Sequence, residues 1–118
     1  MTPKPSEPTL TIPTVEPQTA EEFAQRAYTL HAEGNLSEAL ADFSRALAID
    51  PNLVDAFYGQ GVIYKEQSKT QEAIQAFQTV LTVTAANTRQ DNPARITILR
   101  NLTNSYISVL QQSSTSEE

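Results

Sequence analysis

The chain has 118 residues, of which 39% are apolar without counting glycine, and a net charge of −6. That length corresponds to one domain, and with no cysteine present disulfides and thiolate metal sites are excluded. An acidic surface repels phosphate backbones and anionic lipid, and no run of about 18 apolar residues exists, so nucleic acid and a membrane span are set aside.

Residues 1–18 hold five of the seven prolines, at Pro3, Pro5, Pro8, Pro13 and Pro17. Each fixes φ, removes an amide donor and disfavours helix at the residue before it. An extended, disordered leader is expected, with Leu10, Ile12 and Val15 as its only large aliphatic handles. It either solubilises the chain or docks through the PxxP spacing at Pro5 and Pro8. It lacks a basic stretch followed by an apolar one, so no secretory signal is expected and the expected location is cytoplasmic.

Thr19 opens the fold. Thr19 and Glu22 have capping-box spacing, so each side chain can reach the other's backbone amide. A first helix follows over 20–32, with Phe23, Ala27 and Leu30 as its inner stripe at i, i+4, i+7. Gly34 suits the left-handed position that ends a helix. Asn35 and Glu38 can cap a second helix in the same way. Its buried stripe is Leu36, Ala39, Leu40, Phe43, Ala46, Leu47 and Ile49, and Asp50-Pro51 stops it.

The pattern then returns after 34 residues. Phe23 maps to Phe57, Ala27 to Gly61, Leu30 to Tyr64, Glu38 to Glu72, Ala39 to Ala73, Phe43 to Phe77 and Ala46 to Val80. Asn52 is the expected cap of a third helix carrying Phe57, Gly61 and Tyr64. Ser68-Lys69 stands where the first unit has Gly34-Asn35. A fourth helix carries Ala73, Ile74, Phe77, Val80, Leu81 and Val83. The β-branched residues at 82–84 are expected to fray its end. After a longer connection, Asn92-Pro93 restarts a helix over 93–112, with Asn as cap and Pro at the first helical position. Its main apolar arc reads as Ile98, Leu99, Leu102, Tyr106, Val109 and Leu110. Ile96 and Ile107 fall off that arc. They either flank the contact with the fourth helix or form a second interface for a partner or a second copy. Residues 113–118 read as a disordered acidic tail.

A fixed period with matching small and aromatic positions marks a helical repeat array, and these units resemble tetratricopeptide repeats. In that family large residues hold repeat positions 4, 7, 11, 17 and 24, small ones 8, 20 and 27, and proline 32. The first unit supplies Phe23, Ala27, Leu30, Leu36, Ala39, Phe43, Ala46 and Pro51, and departs at Arg26, where an apolar residue is usual. The second supplies Phe57, Gly61, Tyr64, Ala73 and Phe77, and departs at Gln60, Thr70, Val80 and Ala85. The resemblance implies an all-α fold. Five helices form antiparallel helix–turn–helix repeats, stacked as a short right-handed α-solenoid. The units are 20–53 and 54–87, with a half unit at 93–112.

The same resemblance implies a protein–protein interaction module that takes a peptide or helix segment of another protein in a concave groove. As an assembly factor or accessory subunit it would serve a larger complex. The groove positions carried over include Gln25, Tyr28, Tyr58, Val62, Lys65, Arg100, Asn101 and Asn104, beside Ala24, Gly59, Thr97 and Ser108. One variant of the family clamps a chaperone's C-terminal carboxylate with Lys, Asn and Arg. The matching positions here are Ala24, Tyr28, Gly59, Thr97 and Asn101, so that ligand is not expected. The alternative is a homodimerising structural subunit that uses 93–112. No catalytic constellation, cofactor motif or metal site is visible: His31 is the lone histidine, and the glycines at 34, 59 and 61 make no phosphate loop. An enzyme is not expected.

Overall fold

The structure, a computed structural model, describes residues 16–86 and 93–116, excluding the side chains of 113–116. Among these residues there are five helices and no strand: α1 Ala20–Ala32, α2 Leu36–Ile49, α3 Val54–Glu66, α4 Thr70–Ala86 and α5 Pro93–Ser116. Consecutive helices pack on one another, and α1 also touches α3. This is the all-α repeat fold that the period implies. None of these helices is long and apolar enough to cross a membrane. The leader up to Val15, the connection at 87–92 with its cap Asn92, and Glu117 and Glu118 lie outside the described residues.

The local signals act as their chemistry requires at the start of α1 and at both intra-repeat turns. Thr19 accepts from the Glu22 amide at 3.1 Å, and Glu22 Oε1 accepts from the Thr19 and Gln18 amides at 3.3 and 2.8 Å. At the first turn Gly34 has φ 85, and the Asn35 amide reaches back to the Leu30 carbonyl at 2.9 Å. At the second, Ser68 takes φ 63, and the Lys69 amide reaches Tyr64 at 2.8 Å. The two turns are the same hydrogen-bonded C-cap, 34 residues apart.

Other expected caps are absent. Asn35 stands at the N-cap of α2 without a side-chain bond. The N-cap of α3 is Leu53, not Asn52. The Asn52 amide instead donates to Asp50 Oδ1 at 3.0 Å, which keeps Asn52 in a turn, and α3 starts one residue later than expected. The β-branched end of α4 does not fray at 82–84, and the helix continues to Ala86. Thr79, Thr82 and Thr84 each donate a hydroxyl to the carbonyl four residues back, and Arg100 caps the Leu81 carbonyl at 2.9 Å. The helix of the last half unit also runs on to Ser116, where a disordered tail was expected.

Two apolar clusters form the core. The first joins Ala20, Ala24 and Ala27 of α1, Ala39, Phe43 and Ala46 of α2, and Ala56 and Ile63 of α3. The second joins Ala73, Ile74 and Phe77 of α4 to Ile107 and Leu110 of α5, with Tyr58, Val62 and Tyr64 of α3 against it. Small residues set the helix spacing. A Cβ on Gly61 would come within 2.6 Å of Phe77 Cε1, and one on Gly59 would overlap the Phe43 ring. Ile49, expected in the α2 stripe, is exposed, whereas Asp42 on the same helix is buried.

The α5 contact is rotated from the expected arc. Thr103, Ile107 and Leu110 are buried, while Ile98, Leu102 and Val109 are exposed. Ile107 is therefore part of the core and Ile96 is half-buried, so these two do not form an open second interface. The stripe that meets α4 runs Arg100, Thr103, Ile107, Leu110, which is itself a helical spacing of 3, 4 and 3.

Candidate functional site

Three helices, α1, α3 and α5, share one side of the array. Asp55 in the first turn of α3 links them. Its backbone carbonyl accepts from the Tyr28 hydroxyl of α1 at 2.6 Å. Its carboxylate accepts from Arg95 Nη2 of α5 at 2.8 and 3.1 Å. Further along, His31 Nε2 lies 2.9 Å from Glu66 Oε1, a second tie between α1 and α3.

Aromatic rings build the surface between these ties. Tyr28 sets its ring edge on Phe43, with centroids 4.9 Å apart, and remains 38% exposed. Half-buried Tyr58 lies 5.7 Å from Phe77 and 6.2 Å from Tyr106, and Phe77 stacks on Tyr106 at 5.1 Å. Lys65 holds its Nζ 5.3 Å from the centroid of the Tyr106 ring. Burial pushes the Tyr28 phenol up first, with Asp55 adding to it, and burial followed by Tyr106 does the same at Tyr58. Both phenols therefore stay protonated at neutral pH and serve as neutral donors with a broad apolar face.

Between α3 and α5 opens a cavity of about 400 Å³ lined by Tyr58, Ala94, Arg95, Ile98, Leu99 and Leu102. Its lining is mainly apolar, with one cation at the edge. Such a surface can seat aliphatic or aromatic side chains and fix their orientation by a few hydrogen bonds.

The structure brings Tyr28, Tyr58, Val62 and Lys65 to this side, with Gln25 exposed three residues before Tyr28 on α1. Ala24 and Gly59 are buried in helix contacts instead. Arg100 is turned to α4, where Nη1 donates to the Leu81 carbonyl and to Thr84 Oγ1 at 2.6 Å. Asn101 and Asn104 are exposed and line no part of the cavity. By helical periodicity they lie with Thr97 and Ser108 on the flank of α5 that follows on from Arg100, away from the groove wall. The α5 wall is made by Arg95, Ile98 and Leu102. The stripe at i, i+4, i+7 from Ile96 is the buried side, but it passes through Arg100 and Thr103, so an apolar pattern does not single it out.

A stack of paired helices whose first members line an open, aromatic-walled groove defines a helical-repeat interaction module. Two family models match the sequence: TPR repeat over residues 27–68 and Tetratricopeptide repeat over residues 54–87. The chain belongs to the tetratricopeptide repeat family, whose repeats generally mediate protein–protein interaction. No curated protein matches it.

Proposed function

We propose that the protein is an adaptor that holds a segment of another protein, helical or extended, against the groove formed by α1, α3 and α5. The observation that carries this reading is the apolar wall of Tyr58, Ile98 and Leu102, with Arg95 at its edge and the partly exposed Tyr28 tied to the same end of α3 through the Asp55 carbonyl. Tyrosines in such a setting combine large contact area with a donor at low entropic cost. Gln25 and Lys65 stand at its rim. Service as an assembly factor or accessory subunit of a larger complex, without catalysis of its own, fits a module of this size.

Capture from a native extract, followed by titration of the captured partner, tests the proposal. Tyr28→Ala combined with Tyr58→Ala should weaken binding by about 2 kcal/mol, roughly thirtyfold, with the helical circular dichroism retained. Unchanged affinity in a folded double variant would place the partner elsewhere.

A further inference from the structure

We propose that the exposed seam of α5 pairs with α5 of a second copy, antiparallel about a two-fold axis, to form a homodimer. Ile98, Leu102 and Val109 are 59%, 48% and 62% exposed. With Ser105 they fall at steps of 4, 3 and 4, the seam of a two-stranded coiled coil, and Gln112 continues it. This seam differs from the residues first read as an interface, since Ile107 is consumed by the contact with α4.

The occupant follows from the symmetry of the seam and from its charge. In a two-fold pair, if one residue meets a second, the second meets the first. With the axis between Leu102 and Ser105, Ile98 faces Val109 of the second copy and Leu102 faces Ser105. Apolar thus meets apolar, and the largest central side chain meets the smallest. Charge selects the same face. A chain of net −6 repels its own copies, and carboxylates occur on every helix from α1 to α4. The α5 sequence contains Arg95 and Arg100 and no acidic residue, and Arg100 is bound to α4. The two Arg95 side chains would start from backbone sites about 25 Å apart along the pair, well beyond the screening length of about 8 Å at physiological ionic strength. With only three large apolar residues per copy, the pair belongs among the small, weak interfaces.

The seam shares Ile98 and Leu102 with the groove wall, yet the proposal stands without the groove's ligand. Multi-angle light scattering of the full chain should show a mass rising with concentration to twice that of the monomer. Molar salt should leave the dimer intact, because its seam is apolar. Leu102→Glu, an exposed site, should yield a monomer of unchanged helicity, while Tyr28→Ala with Tyr58→Ala should remain dimeric. The chain has no cysteine, so Ile98→Cys mixed with Val109→Cys should oxidise chiefly to the mixed disulfide. A wild-type monomer at millimolar concentration, a Leu102→Glu dimer, or a predominance of the Ile98→Cys self-disulfide would overturn the proposal.

Discussion

Arg26 occupies a repeat position where the family usually holds an apolar side chain, and its geometry explains why. Its Nε donates to Asp42 Oδ2 at 2.6 Å and its Nη2 to Oδ1 at 3.1 Å, while Arg45 Nη1 donates to the same carboxylate. Glu16 meets Arg26 from the outside at 3.3 Å. The Arg26 hydrogen bonds lead in holding the Asp42 carboxyl below its usual range, opposed by burial and supported by Arg45. The second unit has Gln60 and Ala76 at these two positions, so the charge pair is particular to the first. Arg26→Leu would restore the usual residue but leave Asp42 with Arg45 alone. A loss of stability in chemical denaturation is expected, with much of it recovered in Arg26→Leu/Asp42→Leu, where no buried charge remains. Because the folded carboxyl titrates lower than the unfolded one, the pair's contribution is complete above the unfolded pKa of about 4 and is lost as pH falls through the depressed folded value. The gap between wild type and Arg26→Leu should therefore narrow on acidification below about pH 4. A pH-independent gap would assign the loss to packing.

At the scale of the element, the turns and α5 teach different lessons. Ser68 lies at φ 63, where Gly34 of the first unit lies at φ 85. A side chain there costs about 1 kcal/mol, so Ser68→Gly should raise stability by that amount in thermal melts, and no gain would mean that the hydroxyl compensates. Both turns were legible because each depends on one residue's φ and on a hydrogen bond to a carbonyl five residues back. The facing of α5 was not. One residue of slip turns a helix by about 100°, and the connection at 87–92 breaks the 34-residue frame that fixes the other helices. An arc drawn through the most apolar residues therefore mixed Ile98, Leu102 and Val109, which face the groove and solvent, with Tyr106 and Leu110, which pack on α4, while Thr103, a polar residue, took the centre of the contact. Thr103 can be buried because its hydroxyl donates to the Leu99 carbonyl at 2.7 Å.

Across the whole molecule, the two apolar clusters share α3 and otherwise divide the chain into an α1–α2 end and an α4–α5 end. In repeat arrays each unit contacts only its neighbours, so stability is distributed along the stack. Ending the chain at Ala86 would uncover Ile74 and Phe77 and remove the stacked Tyr106. Hydrogen exchange should then show α4 amides losing most protection, α3 amides less and α1–α2 least. Equal loss in all four helices would mean a single cooperative unit. The same arrangement joins core to groove, since Phe43 and Phe77 are buried while the tyrosines packed on them, Tyr28 and Tyr58, reach the open side.

The period, the helices, the first cap, both turns and the family were determined by sequence alone. Those features rest on contacts within a few residues and on a backbone whose menu is small. The tertiary structure decided the rest: the burial of Asp42, the linkage of α1, α3 and α5 at Asp55, and the face that α5 presents. Each joins residues 16 to 40 positions apart. Side chains that distant meet only after helices have docked, and their docking angle is set by packing of small residues against Phe43 and Phe77 rather than by any local pattern.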